Sequence, residues 1–524
     1  MKKTIVLLLI FAMPILFAGC VDGFLDHDPP VERVQDNFFQ TQSDAEQALY
    51  AVYEVLTFSH GRSNDGFHPF DVVSNMLSDD AYAGGSGSGD QPQLVDFNAH
   101  NIGVTNAKAQ GLWADRFTGL YRANLLLKHI DDIEFENDAT RLYFEGEARF
   151  LRALFYFDLV RLFGNVPLVT RPLVAEDIRI PQDDPGDVYN FIVEELLDII
   201  PNMRANIPAN EVGRASTWAA KAMLGKVYLY HKDYAQPIFN LGNLPVTQAE
   251  VVSHLEDIIN NSGHGLLPNF ADQWGVAGNN NNEAIFSVQH ITTTFGDWGF
   301  LNGSIGNWTA TMTGLRGVGF NVNYASGWSF QPVTQDLANA FGPDTDSRNE
   351  DSRYLPSILD PVAEGVNHAP GQMYQWQGYA FKKFYPRRAD TPSFNTEFNW
   401  PYNRPLFRFA DVLLTAAELG AANAQGYFDQ VRMRAYGDDF VQVSVSKQAI
   451  FEERRLEFAG EGHRYWDLLR MGLNEAADRI NAQAQSPDIP INFRTDRLGL
   501  LPIPQSEINL SDRTLVQNPG YEGG

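Results

Sequence analysis

Between residues 141 and 163 the chain carries its most regular hydrophobic pattern. Phe144, Ala148, Leu151, Phe155, Leu159 and Leu162 stand 4, 3, 4, 4 and 3 residues apart. That spacing lines one face of an α-helix and fits no strand, whose apolar residues alternate with period two. Gly164–Asn165 stops the helix and Pro167 keeps it from resuming. Further helices are read over 43–56, 112–130, 187–200, 215–231, 406–422, 427–436, 446–460 and 461–470. Ser43 with Glu46 three residues on reads as a capping box for the first. Successive helical hairpins of this kind point to a mainly α fold, a tetratricopeptide-like superhelix with minor β structure, although no clean 34-residue repeat is visible.

From about residue 236 to 400 the pattern changes. Helical periodicity fades, Gly and Asn rise, as in GNNNN at 278–282, and six of the nine tryptophans appear. Ala284–Val288 reads as a strand. Long loops in a compact protein are uncommon unless functional, so a ligand site is sought here.

The N-terminus has the pattern of an export signal. Lys2 and Lys3 precede a thirteen-residue apolar run from Ile5 to Phe17, too short for a bilayer span of ~20 residues. Ala18, Gly19 and then Cys20, the one cysteine, follow. Small residues directly before a cysteine resemble a bacterial lipobox, which would make residues 1–19 a signal peptide and Cys20 a lipid attachment point. The formal charge of −26 argues against nucleic acid, whose binding rests on Lys and Arg neutralising phosphates. It also disfavours strongly anionic polysaccharides, leaving a neutral ligand as the better fit.

Several constellations invite chemistry and are better read as structure. Glu452, Glu453, Arg454, Arg455, Glu457, Glu461, His463 and Arg464 crowd two helices whose apolar residues lie all round, so paired, buried charges are expected. No HxxxH or HExxH pattern occurs, and Asp344-x-Asp346 is followed by Arg348, so no metal and no cofactor are expected. GGSGSGD at 84–90 reads as a flexible surface loop. Glycoside hydrolysis needs two carboxylates ~5–10 Å apart across the scissile bond, and no spacing here singles out such a pair. Trp113, Trp218 and Trp466 fall inside helices and read as core, whereas Trp298, Trp308 and Trp328 sit in Gly/Asn/Ser-rich surroundings where a ring could be exposed. An exposed indole offers an electron-rich face to the C–H groups of a pyranose, with polar neighbours to read the hydroxyls.

Six blocks in order carry a family resemblance. FLDHDPP, FFQTQSDAEQALYAVYE and GEARFLRALFYFDLVRLFGNVPLV are similar to the N-terminal half of SusD/RagB-type proteins; RPLFRFADVLLTAAE, IFEERRLEFAGEGHRYWDLLRMG and LLPIPQSEI with QNPGY are similar to the C-terminal half. The resemblance implies lipoproteins on the outer-membrane surface that perform no catalysis. They capture glycans, or peptides in the RagB branch, for a SusC-like TonB-dependent β-barrel transporter. It implies an N-terminal helical region over 20–235, the loop-rich aromatic region over 236–400 and a C-terminal family region over 330–524. It also draws attention to SDDAYAGG, where Asp79, Asp80 and Tyr82 become candidate glycan contacts beside Trp298, Trp308 and Trp328. Among glycans a neutral β-glucan is favoured.

Overall fold

The computed structural model describes residues 38–58, 68–174, 177–292, 305–319, 321–394, 396–483 and 489–521. Cys20, the leader and Trp298 lie outside the described residues.

The chain opens with α1 (Gln42–Glu54), α2 (Phe70–Met76) and α3 (Pro92–Asn98). The N-cap of α1 is Thr41, not Ser43: Thr41 accepts from the Asp44 N–H while the Asp44 carboxylate accepts from the Thr41 N–H. An aspartate at the third position closes this box where the familiar motif has Glu or Gln, which is why Ser43 and Glu46 looked the better pair. Two long helices follow, α4 (Ala107–His129) and α5 (Asp138–Phe163). Asn106 caps α4 through the N–H groups of Lys108 and Ala109, and Asn137 caps α5 through Thr140. They lie close because Gly119 has no side chain. A Cβ there would stand 2.4 Å from the Phe155 ring.

Then come α6 (Pro185–Ile199), α7 (Thr217–Tyr230), α8 (Gln248–Asn261), α9 (Phe409–Glu418) and α10 (Ala424–Tyr436). From α4 to α10 each helix packs on the next in order, with α8 meeting α9 across the 147 residues between them in the sequence, 262–408. This is the layout of a tetratricopeptide-like stack. The apolar faces pool in one large core that runs from Phe39 to Leu515. α11 (Lys447–Glu457), α12 (Arg464–Met471) and α13 (Leu473–Ala482) follow, and shorter helices such as Gln505–Leu510 lie between and after the long ones.

The segment between α8 and α9 is loop-rich, and its described residues hold four short strands. β1 (Ala284–Val288) pairs antiparallel with β4 (Arg404–Arg408), with register irregularities about Phe286 where Pro405 interrupts the ladder. β2 (Ile358–Leu359) pairs with β3 (Ala380–Phe381). Three small cores support this region, one of them around Trp274, Trp400 and Tyr402. α8 itself lies in the stretch where helical periodicity fades in the sequence, although Thr247 and Glu250 form a full capping box before Val251, Leu255 and Ile258.

Candidate functional site

The segment leaving α2 turns inward. Asp79 and Asp80 are each 1 % exposed. Arg464 donates from Nε and Nη2 to the two oxygens of Asp79 at 2.7 and 2.8 Å. Arg455 donates from Nε to Asp80 at 2.8 Å and from Nη2 to Asp336 at 2.7 Å. Tyr82 is buried too, its hydroxyl donating to the Gln483 carbonyl at 3.2 Å. Trp308, expected in a loop, opens a short helix (Trp308–Thr313) capped by Asn307, and its ring lies 4.5 Å from that of Phe398 at 1 % exposure. The expectation that Asp79, Asp80, Tyr82 and Trp308 face solvent is therefore corrected: the acids neutralise arginines from α11 and α12, and the indole fills the core. Trp328 is half-buried, edge-on to Trp308 at 6.3 Å. Of the helical tryptophans, Trp113 and Trp466 are core; Trp218 is only partly covered, with the Lys221 ammonium 4.7 Å from its ring.

A half-buried arrangement lies where the 84–90 loop meets the chain around Trp328 and Tyr374. Gly84 has a φ of +73°, and a Cβ there would meet the Ser329 carbonyl oxygen at 2.3 Å, so only glycine fits. This first half of GGSGSGD is thus packed, not flexible. The Gly85 N–H donates to the Ser329 carbonyl at 2.8 Å, and the Tyr374 N–H donates to the Gly85 carbonyl at 2.9 Å. The Gln375 side-chain oxygen accepts from the N–H groups of Ala83 and Gly84 at 3.1 and 3.3 Å. Arg316 ties the surface together, donating to Asp90 at 2.7 Å and to the Trp328 carbonyl at 2.9 Å. Trp376 is half-buried against the neighbouring small core and stands edge-on to His368 at 5.7 Å. Trp328 and Trp376 are thus two half-buried indoles whose segments are tied together, Trp328 through Arg316 to Asp90 and Trp376 through its neighbour Tyr374 to Gly85, with His368 against the Trp376 ring. Such a surface offers apolar faces for stacking with acceptors and donors at their rims. The missed residues had a signal: GQMYQWQGY at 371–379 interleaves aromatics and amides.

The charged cluster on α11 and α12 is a buried ion-pair network, as expected. Arg408 reaches Glu283 at 2.7 Å, Glu457 at 2.9 Å and Glu461 at 2.8 Å; Arg353 reaches Asp351 at 2.7 Å and also binds Glu453 and Glu457. Burial opposes ionisation of Glu457, but Arg434, Arg408 and Arg353 converge on it and hold its carboxyl below the usual range. Asp79 is likewise held low by Arg455 and Arg464 against its burial. Asp80 goes the other way: burial, reinforced by the adjacent Asp79 charge, pushes it up to about 6. Burial and the Lys226 ammonium beside it bring His463 down to about 3, so the imidazole is neutral and stacks on Phe458. Among the described residues no three His, Cys, Asp or Glu side chains gather as a metal ion would require, and no helix is long and apolar enough to cross a membrane.

Family models place this architecture. Residues 282–521 match the SusD family, and residues 23–229 match a family described as starch-binding and associating with the outer membrane. A laminarin-binding SusD-like protein of known structure superposes with a TM-score of 0.79 at 32 % identity, covering 92 % of this chain and 100 % of its own. The chain belongs to the SusD family. A SusD-like protein of Formosa agariphila is 26 % identical over 98 % of this chain and 99 % of its own length. The surface glycan-binding protein A of Bacteroides fluxus superposes with a TM-score of 0.81 at 26 % identity, over 92 % of this chain and 100 % of its own. The two structural relatives are named for binding, and neither for a reaction. That matches the SusD architecture seen here, in which the cluster of acids most suggestive of catalysis is taken up by guanidinium groups.

Proposed function

We propose that the chain is a cell-surface glycan-binding lipoprotein that captures a neutral β-glucan of the laminarin type and passes it to a SusC-like TonB-dependent transporter. The observation that carries the reading is the full-length likeness to a laminarin-binding SusD-like protein. The Trp328–Trp376 surface supports it chemically, because half-open indoles suit the C–H faces of glucose rings. The formal charge of −26 supports a neutral ligand, since an anionic polymer would meet long-range repulsion. In this reading Trp328 and Trp376 stack on sugar rings, while Asp90, Arg316 and Tyr374 bind hydroxyls. Asp79, Asp80, Tyr82 and Trp308 hold the platform from behind, and Cys20 anchors the chain to the outer membrane.

Isothermal titration of the anchor-free form starting at Val21 with laminarin, starch, an anionic polysaccharide and an oligopeptide mixture tests this. We expect heat with laminarin at micromolar or weaker affinity, a shallow surface gaining little from burial. Trp328→Ala and Trp376→Ala should each weaken that binding at least tenfold with little change in Tm. Silence with every neutral glycan, or binding only to peptides, would sink the proposal.

A further inference from the structure

The asparagine run at 278–282 shares no residue with the Trp328–Trp376 surface, yet each of its asparagine side chains is tied into the fold. Asn279 donates to the Pro401 carbonyl at 2.8 Å and accepts from the Asn403 N–H at 2.9 Å, which fixes the run to the chain entering β4. Asn280 and Gln289 exchange two carboxamide hydrogen bonds at 3.0 and 2.9 Å. Asn282 donates to the Gly263 carbonyl at 3.1 Å, and its own carbonyl accepts from Nδ1 of His264 at 3.0 Å. Braced in this way, the run walls a cleft of about 460 Å³ between the entry to α7, the exit of α8 and β1. That volume lies within the ~300–1,000 Å³ of small-ligand sites.

The wall is polar but carries no open charge. Among the described residues that line it none is Asp or Glu, although the chain has 65 of them. Its one guanidinium, Arg214, is engaged by Glu147 at 2.8 Å and Glu211 at 2.6 Å. Hydroxyl, carboxamide and imidazole groups remain. Ser287 stands opposite Pro405 in the β1–β4 pair, where a missing N–H breaks the ladder. Its hydroxyl and the exposed Asn206 carboxamide have no hydrogen-bond partner among the described residues. Ser287, Asn280 and Asn281 also line an interior pocket of about 10 Å³, room for one water. Gln273 and Trp274 line that pocket too, and both are buried. Gln273 Oε1 accepts from Arg408 at 3.2 Å, while Gln273 Nε2 and Trp274 Nε1 are donors without a partner. Two buried donors of this kind call for an acceptor oxygen, from a ligand hydroxyl or from a water that bridges to it. Gln289 and Ser287 also border an apolar groove of about 320 Å³, where Tyr50 of α1 is 47 % exposed.

We propose that this cleft is a second binding site, separate from the Trp328–Trp376 surface, and that it takes a short neutral oligosaccharide. Ser287, Asn206 and His264 meet its hydroxyls, and one of those hydroxyls, directly or through a water, answers Gln273 and Trp274. The open ring of Tyr50 offers a face to the next sugar. The ligand class follows from this wall alone and does not depend on laminarin being the ligand of the other surface.

Equilibrium dialysis tests this on the anchor-free form starting at Val21 that carries Trp328→Ala and Trp376→Ala, with laminaritriose, maltotriose and trialanine as probes. At least one of the trisaccharides should bind, one per chain and in the millimolar range, and trialanine should not. Adding Asn206→Trp fills the cleft from an exposed position and should abolish that binding with Tm unchanged. Ser287→Ala and Tyr50→Ala should each weaken it about fivefold. The proposal is overturned if the doubly substituted chain binds neither sugar, if trialanine binds equally well, or if none of the cleft variants lowers the affinity. Should Asn206→Trp not fold, Ser287→Ala and Tyr50→Ala decide. The laminarin reading is judged apart from this, on the unsubstituted background: Trp328→Ala and Trp376→Ala test it, whereas Asn206→Trp alone should leave most laminarin binding intact.

Discussion

Asp79 and Asp80 are neighbours in one buried turn, yet removing their charges should have unequal effects. Asp79→Asn strips Arg464 of its two-point partner, and breaking a buried pair costs about 3–5 kcal/mol. Asp80→Asn should cost much less at neutral pH, because Arg455 keeps Asp79 and Asp336 nearby. The sign of the pH effect follows from the folded value of about 6, above the 3.8 of a free aspartate. A carboxyl raised on folding contributes stability below pH 3.8 that is lost as pH climbs through 6. Urea titrations should show Asp80→Asn gaining on wild type across that window; an unchanged difference would refute the assignment. At the same scale, Trp308→Ala should lose about 3–5 kcal/mol of stability as a core truncation, the reverse of the Trp328→Ala outcome. Both tryptophans have Gly, Asn or Ser around them, so composition alone had no means of separating core from platform.

At the level of elements the decisive features are ends and crossings. Thr247→Ala removes the cap of α8 and should lower stability by ~1 kcal/mol, readable in a urea midpoint. Gly84→Ala is expected to be harsher, because it combines a φ of +73° with a 2.3 Å approach to the Ser329 carbonyl. Melting and laminarin binding should fall together in that variant, since the strand of chain it displaces supports Tyr374 through Gly85. Retained binding with a normal Tm would show that the loop tolerates a side chain. The helices from α4 to α7 were legible because their caps and apolar stripes lie within a turn or two of each other. α8 escaped notice because Gly- and Asn-rich chain follows it, although TQAE at 247–250 marks its start.

For the whole molecule, the ion-pair network should govern behaviour in acid. Burial opposes ionisation of Asp467, yet Arg454 and Arg470 bring its carboxyl down to about 2, below the free value of 3.8. A group lowered on folding contributes stability above pH 3.8 that is lost as pH falls towards 2. Asp79, Asp411, Glu457 and Glu461 are lowered in the same way. Stability should therefore drop steeply between about pH 4 and pH 2, and Asp467→Asn should soften that slope while lowering stability at pH 7. A slope identical to wild type would contradict the pairing.

Much of this protein was written locally. Spacing and caps specify the helices, since a helix is made of contacts three and four residues apart, and six ordered blocks carry the SusD likeness. The strand at Ala284–Val288 was legible as well, though its partner at Arg404–Arg408 was not. Tertiary structure alone decided which side chains face water. Asp79 and Asp80 looked like ligand contacts in a polar loop, but the arginines that claim them stand 385 and 375 residues further on. Trp376 became part of the candidate surface, and Trp308 did not, because of what folded against each ring. Exposure and charge pairing depend on neighbours brought together by the whole chain, and no local pattern records them.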